Sequence, residues 1–139
     1  MKRRILVVSY SQSGQLDRIV ERFIAPFETA VVERVRVQPT RAYPFPWTSG
    51  SFFDPMPETV LEQPIPIEPL EFERASYDLV VVAYQPWFLS PSLPTTALFA
   101  DEAFRARLAD TPVVTVIGAR NMWLRSQERV VQWLSLIHI

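Results

Sequence analysis

The sequence of 139 residues contains no cysteine and only one histidine, His138. The absence of cysteine excludes disulfides, thiolate nucleophiles and cysteine-ligated metals, and a single histidine leaves almost no histidine chemistry. We therefore predict no metal site. The chain also lacks a large excess of charge of either sign, because 14 basic and 15 acidic residues leave a net charge of −1. Such interspersed charge favours neither nucleic acid nor an anionic membrane surface as a partner.

Long hydrophobic runs are absent as well. The apolar run that follows the basic start of the chain ends at Val8, which is too short for the core of a signal peptide or for a membrane span. We therefore expect a cytoplasmic protein. Hydrophobic residues nevertheless make up 48% of the chain, which at this length predicts one domain with a real core and leaves a homo-oligomer open.

The last six residues, 134–139 (Leu-Ser-Leu-Ile-His-Ile), resemble the in-frame translation of a widely used sequencing adapter. We therefore expect residues 1–133 to form the domain, with a natural sequence that continues past Trp133 and with an artefact at 134–139. A genuine short tail is the alternative reading.

A buried strand, a hydroxyl-rich loop and an amphipathic helix open the chain. Residues 5–8 are continuously apolar, as a strand covered on both faces requires. After a loop that ends at Gly14, apolar side chains recur at helical spacing, at Leu16, Ile19, Val20, Phe23, Ile24 and Phe27. Because a helix N-terminus carries unpaired N–H groups and a positive dipole end, we predict free amides and a site for a phosphate monoester.

Three further strands alternate with helices. Residues 31–37 carry one mixed face and predict a sheet edge, whereas residues 79–84 and 113–118 are apolar runs typical of interior parallel strands. Residues 95–108 predict a helix that is broken near Asp101, and another helix begins near Asn121 or Met122. This alternation predicts an α/β domain with a parallel sheet.

The segment 38–72 interrupts this pattern. It contains eight of the thirteen prolines, which limits helix to a turn or two at residues 58–62. Five large aromatic residues between positions 43 and 53 are too many for a disordered linker (Tyr43, Phe45, Trp47, Phe52 and Phe53). The segment is therefore expected either to cover a bare face of the sheet or to form a lid over a ligand, and one loop can do both.

The strand order and the serine loop resemble the flavodoxin-like fold, which includes flavodoxins and NAD(P)H-dependent FMN reductases. The resemblance implies a three-layer fold with a parallel sheet of order 2-1-3-4, a fifth strand missing by truncation, and FMN at the switch point between strands one and three. It implies phosphate contacts from Ser11, Ser13, Gly14, Gln15 and Leu16. Leu16 is a departure, since the family usually has a hydroxyl there. Its loss removes one hydrogen bond, worth about 0.5–1.5 kcal/mol, and weakens FMN binding.

Two later loops extend the resemblance. After strand three, residues 84–94 are similar to the family loop that borders the isoalloxazine, which implies contacts from Pro86, Trp87 and Phe88. Trp87 either stacks on the flavin or anchors the core beneath the proline-rich segment. After strand four, the implied contacts come from Gly118, Arg120 and Asn121. Arg120 either neutralises a flavin or substrate anion or forms a surface ion pair.

A narrower resemblance covers nearly the whole chain. The motifs at residues 43–47, 52–58, 87–94 and 118–123 resemble bacterial dialkylresorcinol condensing enzymes. Thiolase-type condensation needs a nucleophilic cysteine, which this chain lacks. We therefore expect an FMN-dependent oxidoreductase, using NAD(P)H and acting on an apolar or aromatic small-molecule substrate in aryl-lipid biosynthesis. Its catalytic residues stay unassigned. The alternative is a non-redox binding or accessory protein of that biosynthesis that has lost FMN.

Overall fold

The computed structural model describes residues 2–41, 43, 53–119 and 124–138. The strands are β1 (Arg4–Ser9), β2 (Val31–Arg36), β3 (Leu79–Tyr84), β4 (Pro86–Trp87), β5 (Ser90–Pro91) and β6 (Val113–Ile117). Four of them form one parallel sheet in the order β2-β1-β3-β6, and β4 and β5 form a short antiparallel hairpin. Because this hairpin follows β3, the predicted fourth strand is β6. The predicted strand order is confirmed.

The helices are α1 (Gln15–Ile24), α2 (Met56–Val60), α3 (Leu93–Ala100), α4 (Glu102–Leu108) and α5 (Leu124–His138). The predicted break at Asp101 is confirmed. The Asp101 carboxylate caps α4, since it accepts a hydrogen bond from the Phe104 amide at 2.9 Å. The short helix α2 begins two residues before the predicted turn. No helix within the described ranges has both the length and the apolar character needed to cross a bilayer.

Two apolar clusters sandwich the sheet. On one face, Val7 and Val81 pack with Leu16 and Val20 of α1. On the other face, the alternate strand residues Leu6, Val8, Val80 and Val82 pack with side chains of α3, α4 and α5, namely Leu98, Phe99, Phe104, Leu108 and Val130. The alternation follows from the two-residue period of a strand. The sheet therefore lies between two helical layers.

The predicted apolar face of α1 is only partly buried. Leu16 and Val20 are buried, but Ile19 is 46% exposed and Phe23 is 39% exposed. The apolar side that the helical spacing indicates therefore faces the core only in part. Within the described residues α1 covers this face of the sheet by itself, so the side of α1 that carries Ile19 and Phe23 has no neighbouring helix. Val114 of the edge strand β6 is 39% exposed on the same face of the sheet.

The segment 38–72 packs against the body of the domain where it is described. An isolated bridge joins Pro39 to Ile67, and Ile67, Leu70 and Phe72 pack against the cluster on the α3 face. This placement agrees with the covering role. Its aromatic stretch at residues 44–52 lies outside the described residues.

Candidate functional site

A cavity of about 450 Å³ opens at the carboxyl end of the sheet. In the sheet, β2 lies on one side of β1 and β3 lies on the other. The switch point, at which the strand order reverses, is therefore between β1 and β3. The lining residues come from the β1–α1 loop, from α1 and from the ends of β3 and β6: Ser13, Gln15, Leu16, Ile19, Gln85, Ile117, Gly118 and Ala119. None of these lining residues is charged. The volume lies within the range of about 300–1,000 Å³ that is usual for small-molecule sites.

The β1–α1 loop turns its amides onto hydroxyl oxygens. The Ser11 hydroxyl accepts hydrogen bonds from the amides of Gly14 at 3.0 Å and Leu16 at 3.2 Å, and the Ser13 hydroxyl accepts one from Gln15 at 3.4 Å. The prediction of free amides is therefore wrong. Orphan N–H groups at a helix N-terminus take the nearest acceptor, and neighbouring serines supply it. Two amides nevertheless converge on one oxygen atom.

Gly14 makes this convergence possible. Its φ of 87° lies in the left-handed region, which glycine enters without a Cβ penalty. A Cβ added to Gly14 would meet nothing within 4 Å. The requirement for glycine at this position is therefore conformational and not a matter of space.

Leu16 and Gly118 close one wall of the cavity. Leu16 is 4% exposed and packs in the α1 cluster, and it also lines the cavity. A Cβ on Gly118 would lie 3.2 Å from the Leu16 side chain. The Gly118 amide donates to the Tyr84 carbonyl at 2.9 Å, which fixes the end of β6 beside β3. The packing of Leu16 thus explains why an apolar residue stands where a hydroxyl was expected.

Trp87 lies in an aromatic cluster instead of lining the cavity. It is 5% exposed, and its ring centroid lies 5.2 Å from that of Tyr43 and 6.0 Å from that of Tyr10. Leu93 and Ile65 belong to the same cluster. The protein's own side chains therefore cover the indole, and this placement matches the alternative of a core anchor better than a flavin-stacking wall.

The hairpin that carries Pro86 and Phe88 has a strained turn. Phe88 and Leu89 have φ values of 51° and 65°. Two consecutive left-handed residues are typical of a two-residue type I′ hairpin, where asparagine and glycine are usual. Large side chains in this conformation store strain of about 1–2 kcal/mol per residue. Neither Pro86 nor Phe88 is among the residues that line the 450 Å³ cavity.

A second cavity of about 310 Å³ lies on the other side of the β1–α1 loop, and Ser11, Tyr10 and Tyr43 line it. Asp17 also lines it, and this carboxylate lies 3.6 Å from both the Arg34 and the Arg36 guanidinium groups. The two arginines offset the negative charge of Asp17 next to the loop. An anion bound at the loop is therefore repelled less strongly than it would be by an Asp17 carboxylate without these arginines.

Two glutamines hold the loops around the site. The Gln12 side-chain amide donates to the Tyr43 carbonyl at 3.1 Å, and the Gln85 amide donates to the Gln12 side-chain oxygen at 3.4 Å. The β1–α1 loop, the proline-rich segment and the residue after β3 are thereby joined. Sequence reasoning missed Gln85, Ile117 and Ala119 as lining residues. Their position at the ends of β3 and β6 is the signal that could have identified them.

Arg120 and Asn121 lie outside the described residues. Among the predicted contacts, the structure brings Ser13, Gln15, Leu16 and Gly118 to one cavity and places Ser11 at the other. No cluster of three acidic or histidine side chains in the described part of the chain could hold a metal ion.

Three tyrosines near the core stay protonated to high pH. Burial raises the pKa of Tyr10, Tyr77 and Tyr84 to about 12. The Tyr77 hydroxyl also donates to the Glu33 carboxylate at 2.5 Å, which raises its pKa further, and the Tyr84 hydroxyl donates to the Gln127 side-chain oxygen at 2.5 Å.

This burial predicts alkaline unfolding. Between the ordinary tyrosine pKa of 10.0 and about 12, the unfolded chain loses phenolic protons that the folded chain keeps. The stabilisation is thus fully present below pH 10 and is lost as the pH rises toward 12. We expect the free energy of unfolding, measured with urea, to fall across this interval and to fall less steeply in Tyr84→Phe. A stability that stays constant across the interval would contradict the assignment.

Comparison with known proteins identifies the fold. No family model matches the chain, and none of the curated proteins matches it. Solved structures do match, and three of them have TM-scores of 0.57–0.59. A flavoprotein in complex with FMN from Lactobacillus acidophilus is 16% identical, with 94% of this chain and 98% of that chain covered. A candidate flavoprotein from Bacteroides uniformis is 14% identical, with coverage of 95% and 83%.

The third structure, a candidate flavoprotein from Bacteroides eggerthii, is 15% identical, with coverage of 98% of both chains. Together with the sheet order β2-β1-β3-β6, these likenesses show that the chain has the flavodoxin-like fold. The predicted fold class is confirmed.

Proposed function

We propose that this chain binds FMN at the β1–α1 loop and the adjacent 450 Å³ cavity, and that it acts as an FMN-dependent oxidoreductase. The observation that carries the proposal is the convergence of the Gly14 and Leu16 amides on the Ser11 hydroxyl oxygen, in a loop that has a cavity on each side at the switch point. The Lactobacillus acidophilus flavoprotein, which shares the fold, was crystallised with FMN.

The loop fits a phosphate ester with neutral donors. A phosphate oxygen would take the place of the Ser11 hydroxyl oxygen as acceptor, and rotation of Ser11 about χ1 would turn its hydroxyl into a donor. The Ser13 hydroxyl and the Gln15 amide lie next to this position and would supply further donors. The dipole of α1 adds a favourable interaction with the anion. The phosphate would therefore be held without a lysine or arginine.

The cavity offers a shape for the flavin ring. The wall made by Leu16, Ile117 and Gly118 is apolar, and the Gln85 side chain supplies a polar group at the end of β3. FMN would supply the electron or hydride transfer. The chain's own contribution would be to orient the cofactor, to exclude water on the α1 side and to leave the opposite side open to substrate.

We further propose that the reductant is NAD(P)H and that the substrate is an apolar or aromatic molecule of aryl-lipid biosynthesis. The pathway rests on the resemblance of four sequence motifs, at residues 43–47, 52–58, 87–94 and 118–123, to dialkylresorcinol condensing enzymes. Tyr10 and Tyr43, which line the 310 Å³ cavity next to the β1–α1 loop, support an apolar or aromatic substrate. The lack of cysteine argues against direct condensation by this chain.

A flavin titration followed by anaerobic reduction tests the function. The protein should quench FMN fluorescence, and the complex should lose its visible flavin absorbance when NADH or NADPH is added. FMN binding without reduction by either nucleotide would reject NAD(P)H as the reductant but would retain the FMN site. Unquenched FMN fluorescence at saturating protein would reject both.

A non-redox accessory protein is the second candidate. Two observations favour it, namely that serine hydroxyls already cap the loop amides and that the Leu16 side chain lies in the core. Both would weaken FMN binding. Such a protein would leave FMN fluorescence unquenched in the titration above.

A further inference from the structure

A third cavity lies on the opposite face of the sheet from α1. Its volume is about 190 Å³, it is open to solvent, and it is lined by residues of α3, α4, α5 and the loop after α2. Phe99 and Trp133 form an aromatic wall, with ring centroids 5.5 Å apart, and Pro64 and Ala100 add apolar surface. The volume is below the range of about 300–1,000 Å³ for drug-sized ligands, so a ligand of about one ring fits.

Two arginines give the cavity a positive charge. Arg129 is paired, because its Nε donates to the Glu62 carboxylate at 2.6 Å, and its Nη1 donates to the Gln132 side-chain oxygen at 2.8 Å. Arg105 donates from Nη1 to the Phe99 carbonyl at 3.3 Å and forms no ion pair with any carboxylate of the described residues. Two guanidinium groups and one carboxylate leave the lining with one positive charge.

Thr96 adds a buried polar group with no partner. The residue lines the cavity and is 4% exposed, and its hydroxyl makes no hydrogen bond within the described part of the chain. Its neighbour Thr95, in contrast, shares a hydrogen bond of 2.7 Å with Ser92. A buried hydroxyl without a partner is destabilising, and an oxygen atom of a ligand would satisfy it.

We propose that this cavity binds a small aryl monocarboxylate. The carboxylate is held by the unpaired N–H groups of Arg105 and by the Thr96 hydroxyl, and the ring packs against Phe99 and Trp133. One negative charge balances the lining, whereas a doubly charged phosphate would be repelled by Glu62. The site shares no lining residue with the two cavities beside the β1–α1 loop, and it does not depend on the FMN proposal.

Fluorine NMR with 4-fluorobenzoate as the probe tests the proposal in the full chain without flavin. We expect a dissociation constant of about 1 mM or below, as is usual for a ligand of this size. Arg105→Gln should weaken binding by about tenfold, since it removes a charge-assisted hydrogen bond. Arg107→Gln is the matched control, because Arg107 lies on the same helix, contacts Phe72 and does not line the cavity.

Thr96→Val separates binding from folding. Valine has nearly the same shape and removes the unpaired hydroxyl, so the free energy of unfolding should stay the same or rise. Affinity for 4-fluorobenzoate should fall by about threefold to tenfold. The uncharged 4-fluorobenzamide should bind at least about tenfold more weakly to the unaltered chain. Absence of 4-fluorobenzoate binding at 10 mM (about ten times the expected constant), equal binding of the benzamide, or equal losses in Arg105→Gln and Arg107→Gln would overturn the proposal.

Discussion

Gly14→Val is expected to weaken FMN binding by about 100-fold, because the loop would lose amide hydrogen bonds to the phosphate that are worth about 1.5–3 kcal/mol each. Gly14 has a φ of 87°, a conformation that a β-branched residue rarely adopts. The loop would therefore refold locally, and the Gly14 and Leu16 amides would no longer point at one oxygen atom. Fluorescence quenching of FMN measures the dissociation constant.

Gly14→Asn is the matched control for this prediction. Asparagine tolerates the left-handed region better than most other residues with a Cβ, because its short polar side chain can hydrogen-bond locally. Because an added Cβ at Gly14 meets no atom within 4 Å, asparagine has room there as well. Its affinity for FMN should stay within about tenfold of the unaltered chain. Equal FMN affinity of the valine variant and the unaltered chain would show that the loop conformation does not determine binding.

Phe104→Ala is expected to lower the free energy of unfolding by about 3–5 kcal/mol. Phe104 is 0% exposed, and its ring centroid lies 5.6 Å from that of Phe99 and 6.3 Å from that of Phe72. The ring therefore connects α4, α3 and the end of the proline-rich segment. Urea unfolding followed by circular dichroism measures the loss, which would be a large part of the total stability of a domain of this size.

The matched control is Phe23→Ala. Phe23 is 39% exposed at the side of α1 that has no neighbouring helix within the described residues, and its main aromatic contact is Phe27 at 5.8 Å. We expect a loss of about 1 kcal/mol or less. Comparable losses for the two variants would mean that the two helical layers do not differ in packing as described.

The four strands of the parallel sheet were predictable from the sequence, because apolar runs mark β1, β3 and β6 and a mixed face marks β2. The hairpin of β4 and β5 was not predicted, and β6 lies at the edge of the described sheet instead of in its interior. The break at Asp101 was also predictable, because aspartate before a new helix caps its first turn. The burial of α1 was not. Helical spacing identifies the apolar side of a helix but does not say how many helices share a face of the sheet, so the exposure of Ile19 and Phe23 could only come from the structure.

The site was predictable in position but only partly in detail. Parallel strands place their carboxyl ends at one edge, which brought Gln15, Leu16 and Gly118 together. The cap formed by Ser11 depends on side-chain geometry that spacing does not determine. Trp87 follows β3 by three residues, and the tight hairpin turns its indole toward Tyr43 instead of the cavity.

The most direct test compares FMN with riboflavin, which differs from FMN only in lacking the phosphate. If the β1–α1 loop holds the phosphate, FMN should bind at least about 100-fold more tightly than riboflavin. Ser11→Ala should reduce this preference, because it removes the hydroxyl that would rotate away from the two amides and donate to the phosphate. Equal affinities for the two flavins, or no measurable affinity for either, would contradict a phosphate site at this loop.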